Sequence, residues 1–121
     1  MTTFEVEVVL KGRDFAVKES VVVPHGPANT WSEAAVYDAL VEILRAIGRA
    51  QDPQAPRDRA VVLTGFSWIV EPLDGDVVLA IEIPMGAAVA GPFRIPEPRL
   101  TALITNVLRL ERERNAPTVI H

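Results

Sequence analysis

The stretch SWIVEPLDGDVVLAIEI, from Ser67 to Ile83, decides the fold. Asp74-Gly75 lies between two apolar runs, and this dipeptide favours a tight hairpin turn with both central residues at positive φ. The first strand is predicted from about Arg59 to Glu71, with a bend at Gly65. After the turn, apolar residues recur at every second position, which predicts a strand with one buried face: Val77, Leu79, Ile81 and Ile83.

A second hairpin is predicted at the N-terminal end of the chain. Apolar residues alternate from Phe4 to Leu10, which is typical of a strand with one buried face. Residues 11–14, Lys-Gly-Arg-Asp, predict a turn because Gly tolerates positive φ and Asp can bond its own backbone. A Val-rich strand then runs from Phe15 to Val23 and stops at the Pro-His-Gly-Pro sequence of residues 24–27.

Two helices are predicted, one after each hairpin. Thr30 and Glu33 fit a capping box, and the following apolar stripe predicts a helix that fades near Gly48 to Gln51. A polar, Pro-broken linker occupies residues 52–58. The last helix is expected to start near Pro98 or Arg99, and its stripe consists of Leu100, Leu103, Ile104, Val107 and Leu108.

Residues 84–98 contain four prolines and two glycines, which predicts a segment without regular structure. The segment is nevertheless apolar, and long structureless segments in small domains are usually functional or disordered. We therefore interpret 84–98 as a functional or interface loop.

These elements predict an α+β fold in the order ββαββα. Two layers are the simplest way to bury the apolar stripes, so we expect a four-stranded antiparallel sheet with both helices on one face. Residues 21–26 resemble residues 81–86, which raises the hypothesis of an internal ββα duplication with pseudo-twofold symmetry. A single domain is predicted over residues 1–114, followed by a C-terminal tail at 115–121.

Composition excludes several classes of function. The 121 residues suit one domain, and the absence of Cys excludes disulfide frameworks and thiolate metal sites. A net charge of −4 argues against a protein that binds the nucleic-acid backbone. With neither a targeting segment nor an apolar run long enough to span a membrane, the sequence predicts a cytoplasmic protein with no membrane partner.

No strong catalytic or cofactor motif is present, so we assign no catalytic residue, no metal ion and no cofactor. Asp38 and Glu42 lie four residues apart on one helix face, where paired carboxylates could bind a cation, although a solvated acidic stripe explains them better. The strongest candidates for binding an anionic ligand are polar residues near turns: His25, Arg94 and Arg99. The aromatic side chains could line a ligand site, but core packing is the preferred interpretation: Trp31, Phe66, Trp68 and Phe93.

The outer face of the predicted C-terminal hairpin is too apolar for a face in contact with water. We predict that it is covered by a second copy of the chain; the alternative is that residues 117–120 fold back over it. The predicted interface combines this face with residues of the 84–98 loop: Ile69, Val78, Ala80, Met85, Val89 and Phe93.

Two functional hypotheses follow. The first is a small non-enzymatic interaction or assembly module that forms a homodimer, and an inhibitor of another protein fits the same features. The second is an anionic-ligand-binding protein or enzyme with a site under the 84–98 loop near His25.

Overall fold

The computed structural model of the chain describes residues 1–115. One antiparallel sheet has the strand order β2-β1-β5-β4-β3, and both helices pack on the same face of it. The strands are β1 Thr2–Leu10, β2 Ala16–Val23, β3 Ser67–Leu73, β4 Asp76–Ile83 and β5 Gly86–Phe93. The helices are α1 Glu33–Gln51 and α2 Glu97–Asn115, and a 3₁₀ turn at Ala28–Thr30 precedes α1.

The α+β class and the antiparallel sheet are confirmed, but the sheet has five strands instead of four. The additional strand, β5, occupies most of the 84–98 segment that was predicted to be a loop. It is a strand because it pairs with β1 on one side and β4 on the other, which gives it a partner along both edges. That pairing outweighs the poor strand propensity of its Gly and Pro residues.

The turn that decided the C-terminal hairpin forms as predicted. Asp74 and Gly75 have φ values of 51° and 87°, and Leu73 pairs with Asp76 across the turn. The strand before it is shorter than predicted, since β3 begins at Ser67 and not near Arg59. The reason lies in β4: Ser67 pairs with Glu82, and β4 ends at Ile83, so earlier residues have no strand to pair with.

The core lies between the helix-bearing face of the sheet and the two helices. Three aromatic rings meet within it: Phe4 and Phe93 have centroids 4.9 Å apart, and Trp31 and Phe93 have centroids 5.3 Å apart. Apolar side chains from every strand and both helices surround them, including Val6, Val23, Leu40, Ile43, Ile81, Leu100 and Ile104. Removing these side chains from water is the main contribution to stability, at about 25 cal/mol per Å² of apolar surface.

The predicted capping box at α1 is wrong. The Thr30 hydroxyl donates to the carbonyl oxygen of Pro27 at 2.7 Å, within the 3₁₀ turn, so it does not cap the helix. α1 begins two residues later than that cap would require, with Ser32 as its N-cap residue. α2 begins at Glu97, and Pro98 therefore lies in its first turn, where a missing backbone N–H costs nothing.

The pseudo-twofold repeat is also wrong in its predicted form. It equates residues 21–26 with 81–86, and therefore β2 with β4. β2 is an edge strand that pairs with β1 alone, whereas β4 pairs with both β3 and β5. The two similar sequences therefore lie at non-equivalent positions in the sheet.

Gly86 allows β5 to approach β1 closely. A Cβ atom at this position would lie 2.5 Å from the backbone oxygen of Val9 and 3.0 Å from the Cα of Leu10. Both contacts are with backbone atoms of the neighbouring strand, which cannot move aside as a flexible side chain can. The register of β5 on β1 therefore requires Gly at residue 86.

We predict that Gly86→Ala lowers the free energy of unfolding by about 2 kcal/mol, because the added methyl group forces the two backbones apart. Urea denaturation measures the change. Gly48→Ala is the matched control, since its Cβ would meet only the tip of the Arg59 side chain, at 3.3 Å. Alanine is also favoured within a helix, so Gly48→Ala should not destabilise the protein. Equal stability of the two variants would contradict the role given to Gly86.

Candidate functional site

His25, the first of the predicted anion-binding residues, has a carboxylate partner. It lies in the turn that follows β2, and its Nε2 is 2.7 Å from Oδ2 of Asp38 on α1. The contact is partly buried and joins the end of the sheet to the helix above it. Asp38 borders a cavity of about 350 Å³ between α1 and α2, which His25 does not line, so the pair joins two elements beside that cavity.

Arg99 and Arg94 lie apart from that pair. The guanidinium of Arg99 donates to the carbonyl oxygens of Asn29 at 2.9 Å and Trp31 at 3.1 Å, and so ties the start of α2 to the segment before α1. The side chain of Arg94 is 87% exposed and lies 3.7 Å from Asp76. Residues 86–93, which were predicted to belong to a loop covering a site shared by these residues, form the strand β5.

Each of the two carboxylates on α1 has a neighbouring side chain as its partner. Asp38 contacts His25, and Glu42 accepts a hydrogen bond from Arg45 at 2.9 Å. Among residues 1–115, no group of three or more His, Asp or Glu side chains is arranged to hold a metal ion. The carboxylates are thus engaged with neighbouring side chains on the helix surface.

The predicted aromatic set is divided between two places. Trp31 and Phe93 lie in the core, and the Trp31 indole N–H donates to the carbonyl oxygen of Gly26 at 2.8 Å. Phe66 and Trp68 are half-buried and line a cavity of about 380 Å³ between α2 and the segment that leads into β3. Only the second pair is accessible to a ligand.

Three residues of α2 form the opposite wall of this cavity: Thr105, Leu108 and Arg112. Their spacing of three and four residues places all three on one helix face, but no local pattern in the sequence marks them as a site. Arg112 makes no ion pair or hydrogen bond in the part of the chain that the structure describes, whereas Arg109 and Arg114 pair with Glu113 and Glu111.

The outer face of the sheet, opposite the helices, carries a row of apolar side chains. Strand register places Ile69 on β3 beside Ala80 on β4, and Ala80 beside Val89 on β5. Ile69 is 53% exposed and Val89 is 45% exposed. In the same register, Val89 is followed by Glu7 on β1 and Lys18 on β2, so the apolar row ends at β5 and the face becomes polar at β1.

Four of the six predicted interface residues share this outer face: Ile69, Val78, Ala80 and Val89. Met85 lies in the turn between β4 and β5, beside a cavity at the end of α1. Phe93 is only 3% exposed and belongs to the core. Strict alternation would place Phe93 beside Val89, but the register shifts between Val77 and Leu79, so Gly91 and Pro92 together oppose one residue. This bulge turns Phe93 inward.

Neither described helix is long and apolar enough to cross a lipid bilayer.

We predict that Arg99→Lys destabilises the protein by about 1 kcal/mol, because a single ammonium group cannot reproduce the forked contact to two carbonyl oxygens. Thermal unfolding measures the loss. Arg94→Lys is the control, since Arg94 is almost fully exposed and should tolerate the change. An Arg99→Lys protein as stable as the wild type would show that the hydrogen bonds from Arg99 to Asn29 and Trp31 do not contribute to stability.

The comparisons with known proteins identify no relative: no family model, curated protein or solved structure matches the chain. Two surfaces of the described structure remain as indications of function: the apolar outer face of the sheet and the cavity beside α2.

Proposed function

We propose that the protein is a small non-enzymatic interaction module that forms a homodimer through the outer face of its sheet. The observation that supports this proposal is the exposed apolar row of Ile69, Ala80 and Val89 on a face that neither described helix covers. Residues 117–120, the alternative cover, lie outside the described part of the chain. Contiguous apolar surface on a protein of this size usually marks a contact.

The two halves of the outer face differ in chemistry. On β1 and β2 the middle of this face carries Glu5, Glu7, Lys18 and Ser20, as expected of a sheet in contact with water, and Val9 and Val22 lie near its ends. On β3, β4 and β5 the corresponding positions are occupied mainly by Ile69, Val78, Ala80 and Val89, with Glu71 and Glu82 at either end. Only the second half is suited to burial against another surface.

A second copy of the chain fits this half better than a chemically different partner. Between Ile69 and Val89, above Ala80 and Ala87, the face has a depression of about 300 Å³. A twofold axis parallel to the strands, midway between β3 and β4, places Ile69 of each copy in the depression of the other. An isologous contact of this kind uses one patch twice, as most dimers do.

The same axis avoids direct opposition of like charges. In the register of β3 and β4, Ser67 pairs with Glu82, and Glu71 pairs with Val78. The axis exchanges the members of each pair between copies, so Glu82 faces Ser67 of the partner subunit, whose hydroxyl group can donate to it. The acidic residues then lie at the two ends of the contact and not at its centre.

We predict that the wild type is a dimer and that Ile69→Glu with Val78→Lys converts it to a folded monomer. Ile69→Glu places a carboxylate in the centre of the contact, where desolvation is costly, and both substitutions leave the helix-bearing face of the sheet unchanged. Size-exclusion chromatography with light scattering measures the mass, and circular dichroism checks the fold.

Leu110→Glu provides the control, because Leu110 is 45% exposed on α2, on the opposite layer. It should remain a dimer. A wild type that is monomeric at high micromolar concentration, or a double variant that stays dimeric, would contradict the proposal.

A further inference from the structure

We infer that the cavity between α2 and residues 63–68 is a binding site for a small aromatic carboxylate. The site is independent of the proposed dimer, since it lies on the helix-bearing layer and the dimer contact lies on the outer face. Its volume of about 380 Å³ falls in the range of small-molecule sites in proteins.

Two aromatic side chains give the cavity its apolar wall. Phe66 lies just before β3 and Trp68 within it, and both are packed against the core while remaining partly exposed. Leu108 of α2 faces them across the cavity. A planar ring is the ligand group that best fills a narrow apolar space beside aromatic residues, because offset and edge contacts between rings add to the area buried.

The Trp68 indole differs from the other indole of the chain. Trp31 is 2% exposed, and its N–H is engaged with Gly26. The indole N–H of Trp68 has no hydrogen-bond partner within residues 1–115, so it is free to donate to a bound oxygen. A buried tryptophan usually satisfies this group, and one at the wall of a cavity can satisfy it with a ligand.

Arg112 supplies the positive charge. It lines the same cavity, and the described residues offer it no carboxylate within ion-pair distance, in contrast to Arg109 and Arg114. A guanidinium group can bind a carboxylate through two parallel hydrogen bonds, and such charge-assisted bonds are roughly twice as strong as those between neutral groups. The unpaired guanidinium group of Arg112 therefore favours an anionic ligand over a neutral one.

Two hydroxyl groups complete the wall. Thr105 donates its proton to the carbonyl oxygen of Thr101 at 2.8 Å and is left as an acceptor. Thr64, on the opposite side, makes no hydrogen bond in the described structure and can donate. One cavity thus combines aromatic rings, an unpaired guanidinium and two hydroxyl groups. The rings suit a planar ring of the ligand, and the guanidinium and hydroxyls suit a carboxylate a few bonds away from it.

The experiment is a titration with benzoate, monitored through the two indole N–H signals in the nitrogen–proton correlation spectrum. We expect the Trp68 signal to shift with saturation at millimolar benzoate, and the Trp31 signal to stay in place as an internal control. Benzamide, which keeps the ring and loses the charge, should bind at least about tenfold more weakly. Cyclohexanecarboxylate, which keeps the charge and loses the aromatic ring, should also bind more weakly.

Arg112→Gln tests the cation and should weaken benzoate binding about tenfold or more. Arg109→Gln is the matched control, because it removes the same charge from the same helix at a residue that is paired with Glu113. A Trp68 signal that no probe shifts would overturn the inference, and so would equal binding of benzoate to the Arg112→Gln variant and the wild type. Equal weakening in both variants would show general charge attraction in place of a site.

Discussion

The pairing of β5 with β1 is the constraint on which the rest of the structure depends. β5 is the only described link in the sheet between the hairpin of β1 and β2 and the hairpin of β3 and β4. Its approach to β1 requires Gly86, and its buried positions are filled by Ala88 and Ala90, which leave room for α1 above the middle of the sheet. This central strand of small residues holds the two hairpins in one sheet and lets α1 pack over the middle of it.

Alternation and turn chemistry made much of this fold predictable. β1 and β4 each bury every second residue along most of their length, and the Asp74-Gly75 turn adopts the conformation that its sequence requires. Such signals are local, so they can be read without knowing what lies beside each strand. The helices were predictable for the same reason, except at their first turns, where Thr30 had a nearer acceptor than the helix.

β5 was not predictable because its reasons for being a strand are not local. Gly86, Gly91 and Pro92 disfavour a strand by propensity, and its small side chains show no clear alternation. Pairing along both edges overrides that preference, and the bulge at Gly91 and Pro92 accommodates the proline. The same bulge turns Phe93, which was predicted to lie in an interface loop, into the core. For the cavity, Phe66 and Trp68 were recognisable as aromatic candidates, whereas Arg112 became a candidate only when the fold placed it beside them.

The strand order also has a consequence for how the chain folds during synthesis. Of the described strands, β1 is made before all others and β5 after them, so the edge of β1 that will receive β5 stays open until residues 86–91 are available. An open strand edge can pair with other chains, and a contact between residues so far apart in sequence closes slowly. The N-terminal hairpin and α1 therefore form an incomplete unit, and a nascent chain that ends before Gly86 exposes a backbone edge that the complete protein conceals.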